Sequence, residues 1–160
     1  MRHHLTLLLI LLITTLSAQT FNNLPFRFLG VDGNRASAVV GEPGNPMVSY
    51  VGAASGGIFK TEDGGLNWRP IFDDQDVAAI GSLAIAPSNP NQIWCGTGET
   101  FVIRPAHPLG NGVYKSSDAG KTWKHLGLEK TGRIGRIVVH PSDTNTIYVA
   151  ALGNTHAPQQ

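Results

Sequence analysis

Residues 57–68 read Gly57-Ile58-Phe59-Lys60-Thr61-Glu62-Asp63-Gly64-Gly65-Leu66-Asn67-Trp68, and residues 112–123 read Gly112-Val113-Tyr114-Lys115-Ser116-Ser117-Asp118-Ala119-Gly120-Lys121-Thr122-Trp123. The two segments carry the same chemistry in the same order: a β-branched and aromatic run, a hydroxyl residue, an aspartate, a glycine and a tryptophan. A tight turn needs glycine where the backbone takes positive φ, and an aspartate carboxylate accepts hydrogen bonds from turn amides that have no other partner. Each segment is therefore expected to form strand, turn, strand. Asp63 and Asp118 recur once per unit, whereas a catalytic carboxylate belongs to one place, so both are expected to be structural.

Upstream of each copy lies a second repeated half. Ala38-Val39-Val40 with Ser49-Tyr50-Val51-Gly52 returns as Leu83-Ala84-Ile85 with Ile93-Trp94-Cys95-Gly96, and again as Ile137-Val138-Val139 with Ile147-Tyr148-Val149-Ala150. Pro, Asn and Gly clusters separate the runs, which marks two strands per half. No stretch after residue 19 keeps a 3.6-residue apolar period, so helix should be close to absent. Four short strands in units of roughly 40–55 residues have the size and content of β-propeller blades. The fold class expected is all-β, a partial β-propeller of about two and a half four-stranded antiparallel blades. Because propellers close with at least about four blades, the chain is expected to be the N-terminal fragment of a longer protein, with the remaining blades of that parent as its neighbours.

Thr61, Asp63, Gly65 and Trp68, with Ser116, Asp118, Gly120 and Trp123, resemble the Asp-box, or BNR repeat, of sialidases, sortilin ectodomains and the two-propeller xyloglucan hydrolases of glycoside hydrolase family 74. Ser55-Gly56-Gly57-Ile58-Phe59-Lys60 and Ile134-Gly135-Arg136-Ile137-Val138-Val139-His140-Pro141 are most similar to exported bacterial proteins described as sortilin-like or BNR-repeat glycosyl hydrolases. The resemblance implies that each box joins the third and fourth strands of a blade, with its Trp packed over the hairpin. It also implies that ligands bind at the opposite face, where the second-to-third-strand loops and the blade-to-blade links lie.

One such loop stands out. Tyr50 to Phe59 spans 9 positions, whereas the equivalent Trp94 to Tyr114 spans 20. The extra residues fall around Glu99-Thr100-Phe101-Val102-Ile103-Arg104-Pro105-Ala106-His107-Pro108-Leu109, and a long loop on a rigid scaffold is where specificity is usually carried. Glu99, Arg104 and His107 are candidate ligand contacts; the other reading is a loop that packs on a neighbouring blade. The links add Asp73, Asp74 and Asp76, and Arg133. The three aspartates read as an acid–base supply, a weak Ca²⁺ site or a solvated turn. His125, His140 and His156 lack metal-ligand spacing, and no cofactor is implied.

Two functions follow from this pattern: a non-catalytic module that binds a protein, peptide or carbohydrate ligand, and a glycoside hydrolase working with two carboxylates across a cleft. The resemblance to the xyloglucan hydrolases places a catalytic Asp just before a Gly-Gly-aromatic stretch of the first blade, and here Ala54 occupies that position. A methyl group neither donates nor accepts a proton. Nor do residues 21–60 contain the Arg-Ile-Pro segment that sialidases carry before their first box.

Composition sets the remaining bounds. The chain has 160 residues, with 12 Lys+Arg against 11 Asp+Glu, so it offers no basic footprint for nucleic acid. Its one cysteine, Cys95, has no disulfide partner and sits in an apolar run, as a buried small hydrophobe would. Met1-Arg2-His3-His4, the apolar run Leu5–Ile13 and the small-residue exit at Ser17-Ala18 form the three-part pattern of an export leader. Cleavage is expected after Ala18, with residues 19–34 as a lead-in and residues 35–160 as blades; the alternative is a short N-terminal membrane anchor. Export places the protein in the periplasm or outside the cell.

Overall fold

The computed structural model describes residue 31 and residues 35–100 and 108–153. The expected leader, most of the lead-in, Arg104, His107 and His156 lie outside these residues. Ten strands follow in order: β1 (Ala36–Glu42), β2 (Asn45–Ala53), β3 (Ile58–Thr61), β4 (Arg69–Pro70), β5 (Ile80–Ala86), β6 (Asn89–Thr97), β7 (Val113–Ser116), β8 (Lys124–His125), β9 (Ile134–Val139) and β10 (Ile147–Ala151). Among the described residues the only helical element is a single 3-10 turn, Glu129–Thr131. The strands pair as β1-β2-β3-β4, β5-β6-β7-β8 and β9-β10, all antiparallel. This is a partial β-propeller: two complete blades and the first two strands of a third.

The register makes the repeat visible residue by residue. Val40 pairs with Tyr50, Ala84 with Trp94 and Val138 with Tyr148. Each innermost strand carries a bulge near its start, at Ser37, Gly81 and Gly135, and a bulge increases local twist and redirects the strand. Just beyond β2, β6 and β10, an amide bonds back to the residue before the innermost strand: Ala54 N–H to Arg35 O (2.9 Å), Gly98 N–H to Ala79 O (2.7 Å) and Leu152 N–H to Arg133 O (2.9 Å).

The core lies between blades rather than within one. Val48, Tyr50, Ile58 and Phe72 of the first blade and its link pack against Ile80, Leu83, Ile93, Cys95 and Tyr114 of the second. A second cluster joins Ala86, Trp94 and Val113 to Ile134, Ile137 and Val139 of the third. Two glycines permit the close approach. A Cβ at Gly52 would collide with the Ile80 side chain, and a Cβ at Gly96 would collide with Ile134. Ile80 and Ile134 are thus equivalent knobs in equivalent notches, so a repeated glycine–isoleucine pair sets blade spacing. Polar bonds reinforce the junctions near the axis: Ser37 Oγ donates to Ile80 O (2.6 Å), and Ile137 N–H donates to the buried Ser82 Oγ (2.8 Å).

Candidate functional site

The two repeated aspartate–glycine turns occupy one end of the blades. In the first, Thr61 Oγ1 donates to Asp63 Oδ1 (2.8 Å) and accepts from Gly65 N–H (2.9 Å). The carboxylate also accepts from Asn67 N–H (2.9 Å) and Asn67 Nδ2 (2.7 Å). The second turn repeats this with different side chains: Ser116 Oγ donates to Asp118 Oδ1 (2.8 Å) and accepts from Gly120 N–H (2.8 Å). Thr122 supplies its amide (2.9 Å) and hydroxyl (2.6 Å) to Asp118. Gly65 and Gly120 take φ of 90° and 87°, a region that suits glycine. The Asn67 amide and side chain hold Asp63 at about 2, and the Thr122 hydroxyl and amide hold Asp118 at about 2. Both carboxylates stay ionised at neutral pH, with bonds from their own turns on both oxygens, which leaves them ill suited to proton transfer.

The tryptophan of the second turn reaches beyond its own hairpin. Trp123 Nε1 donates to the Ile71 carbonyl (2.8 Å), and its ring meets Phe72 edge-on at 5.1 Å. Phe72 in turn stands edge-on to Tyr114 at 5.1 Å. Ile71 and Phe72 belong to the link leaving the first blade, so Trp123 fastens blade to blade. The link supplies a carbonyl that accepts the indole N–H and an aromatic ring that meets the indole edge-to-face.

The other end of the blades collects the β2–β3 and β6–β7 loops and the links. Gly57 N–H bonds to Ala78 O (2.8 Å), tying a loop to a link. The β6–β7 loop is anchored at its neck. Thr97 Oγ1 donates to Gly112 O (2.7 Å) and accepts from the amides of Asn111 (2.9 Å) and Gly112 (3.0 Å). Glu99 N–H bonds to Pro108 O (3.0 Å) across the neck, and Gly110 N–H reaches Gly132 O (2.7 Å) on the next link. At Gly98 a Cβ would strike the Gly132 carbonyl and come within 2.8 Å of the Arg133 Cα.

The candidate residues divide at this end. Glu99 is buried and ion-paired with Arg35, whose side chain is about half exposed. Arg133 is also buried. Neither is a freely solvated contact: both sit where the three blades meet, and they make this junction a charged one. Asp73, Asp74 and Asp76 are exposed on the first link, as a solvated turn would be. Among the described residues no group of three His, Cys, Asp or Glu side chains is placed to hold a metal ion. Arg35 was not singled out from the sequence; its equivalence to Arg133, each just before an innermost strand, was the available signal.

A groove of about 370 Å³ runs along the innermost strands, lined by Val39, Leu83, Ile85, Arg136 and Val138 among others. Ala54 is buried.

No family model matches the chain, and no curated protein matches it. Solved structures similar to it include an ancestral glycoside hydrolase family 74 (GH74) enzyme, at 23% identity and TM-score 0.61 over 77% of this chain and 16% of that one. The GH74 enzyme of Niastella koreensis matches at 24% identity and TM-score 0.55, over 72% of this chain and 17% of that one. The GH74 xyloglucanase of Xanthomonas campestris matches at 19% identity and TM-score 0.55, over 78% and 19%. The likeness is one of fold, and the chain spans less than a fifth of each of these proteins.

Proposed function

We propose that this chain is an exported β-propeller module of the Asp-box type that binds a protein, peptide or glycan at the face carrying the β2–β3 and β6–β7 loops and the links. Of these ligands a glycan is favoured, because the neighbours are GH74 enzymes and one is named a xyloglucanase. The observation that carries the non-catalytic reading is the state of the carboxylates. Asp63 and Asp118 are engaged by their turns at the far end, Glu99 is buried against Arg35, and Ala54 replaces the acid that the family pattern has. Hydrolysis of a glycosidic bond needs one carboxyl that gives up its proton and one that attacks or activates water.

A second reading keeps the GH74 neighbours' chemistry and draws most, though not all, of the carboxylates from outside this chain. The two readings separate in one experiment on the full chain. Affinity electrophoresis through xyloglucan should retard migration, and a reducing-end assay on the same polysaccharide should show no release. Release of reducing ends would favour the hydrolase instead, and unretarded migration in xyloglucan would turn the search to peptide ligands.

A further inference from the structure

The first two blades are complete four-stranded sheets, so the junction between them has both of its sides in place. A cavity of about 230 Å³ lies in that junction, where the first link leaves β4 and the β7–β8 turn enters β8. Aromatic surface forms one side of it. Phe72 is buried and set edge-on to both Tyr114 and Trp123, at 5.1 Å from each ring. Trp123 is half-buried, and its Nε1 is fixed on the Ile71 carbonyl (2.8 Å). The indole is thus held in one orientation with part of its surface on the cavity, and a ring ordered in advance spares a ligand the cost of ordering it.

Polar side chains form the rest of the lining: Asp74 and Gln75 from the link, Lys121 and Thr122 from the turn. Among the described residues the side chains of Asp74, Gln75 and Lys121 hold no hydrogen bond or ion pair. The Thr122 hydroxyl donates to Asp118 Oδ2 (2.6 Å), and its oxygen can still accept. Carboxylate and ammonium balance, so an anion meets Asp74 and a cation meets Lys121. A neutral molecule with neighbouring hydroxyls satisfies both: it donates to the Asp74 carboxylate and the Gln75 carbonyl, and accepts from the Lys121 ammonium and the Gln75 amide. Cavities for drug-sized ligands begin at about 300 Å³, so this one takes a single ring, with an apolar C–H face for the indole and hydroxyls for the polar groups.

We propose that this cavity is a carbohydrate site that holds one neutral pyranose unit against Trp123, with Asp74, Gln75 and Lys121 on its hydroxyls. It is separate from the loop face: its lining residues come from the first link and the β7–β8 turn, and none from the β2–β3 or β6–β7 loop. The site therefore stands or falls independently of binding at that face. It also gives the uncommitted Asp74 a different use from Asp63 and Asp118, whose carboxylates are engaged by their own turns.

Titration of the nitrogen-labelled full chain with the methyl glycosides of glucose, galactose, mannose, xylose and N-acetylglucosamine, followed by proton–nitrogen correlation NMR, tests this. At least one glycoside should shift the Trp123 indole N–H and the backbone amides of Gln75 and Thr122, and the shifts should saturate at millimolar concentrations. Asp74→Ala and Lys121→Ala each remove one charge-assisted hydrogen bond and should weaken that binding about tenfold. Both side chains are exposed, so the rest of the spectrum should stay in place. A Trp123 indole resonance that none of the glycosides moves overturns the proposal. So do shifts that persist unchanged in the Asp74→Ala/Lys121→Ala double variant, which would mark non-specific contact. Glycine tests the other use of the same charge pair: shifts with this zwitterion and none with the glycosides would overturn the sugar assignment. Glycoside shifts confined to the amides of Thr97 and Gly112, at the β6–β7 neck, would support the loop face and overturn this site.

Discussion

Trp123 Nε1 donates a 2.8 Å hydrogen bond to the carbonyl of Ile71, 52 positions earlier in the chain. The bond joins the β7–β8 turn region, the second box-like repeat, to the link that leaves the first blade. It makes the box a fastening between units as well as a turn within one. Trp123→Phe keeps part of the edge-on contact with Phe72 but removes the donor, leaving a carbonyl unpaired. The expected cost is about 1 kcal/mol, and Trp123→Ala should cost about 2–3 kcal/mol. Urea unfolding checks both: the midpoint should fall with little change in slope.

The two box aspartates give the fold an acid limit. Each folded value lies near 2, below the ordinary carboxyl value of 3.8. A depressed folded pKa contributes stability that is fully present above the unfolded value and is lost as pH falls through the folded one. Melting temperature should therefore be level above about pH 5 and decline between about pH 4 and pH 2. Asp63→Asn and Asp118→Asn should each lower stability at neutral pH and make the acid decline shallower. A decline unchanged in the double variant would assign the acid limit to other groups.

The second turn contains a strained residue and a glycine whose backbone conformation disfavours any side chain. Ala119 has φ of 59°, in the place where the first box has Gly64 at 70°. An L-residue in this region is disfavoured by about 1–2 kcal/mol, so Ala119→Gly should raise stability by up to about 1 kcal/mol after the unfolded chain's added freedom is deducted. Gly120→Ala should do the reverse. Its φ is 87°, and a new Cβ would come within 2.6 Å of Ile71 Cδ1. Thermal melts of the pair should shift in opposite directions.

Sequence periodicity made the blades legible because a four-stranded meander is a local object. Strand runs, turn residues and the twin boxes each lie within a few positions of one another, so spacing alone located them. Contacts between blades were not legible in the same way. Trp123 to Ile71, Arg35 to Glu99 and Ile80 to Gly52 join positions whose neighbourhood depends on how one sheet rotates against the next. The long β6–β7 loop was found by counting residues. Counting did not reveal that its first charged residue, Glu99, turns inward to the junction of three blades.

That inward carboxylate should matter more for stability than its place in a loop implies. Removing one partner of a buried ion pair leaves a charge without compensation, at a cost of about 3–5 kcal/mol. Glu99→Ala should fall in the lower part of that range, because Arg35 is half exposed and water can reach it. Arg35→Ala leaves the carboxylate buried and should also destabilise, by less if the other contacts of Glu99 compensate its charge. If the pair acts as a unit, the double variant should cost much less than the sum of the two, and a double-mutant cycle from urea midpoints measures the coupling. Additive losses would mean that the two residues act separately.

Cys95 provides a readout for all of these variants. It pairs with Leu83 and Tyr114 in the middle of β6 and is buried in the first interblade cluster, where desolvation pushes its thiol pKa well up. The thiolate is the reactive form, so a buried thiol with a raised pKa should be inert toward a disulfide reagent such as Ellman's at pH 8. Reaction then requires that the first and second blades separate. With reagent in excess, the rate should follow the population of opened molecules when closing is fast, and each destabilising variant should raise it. A destabilisation of about 1.4 kcal/mol should make labelling about tenfold faster, provided opening is global. Rapid labelling of the wild-type chain without denaturant would show that the blades part locally, at a free energy far below that of unfolding.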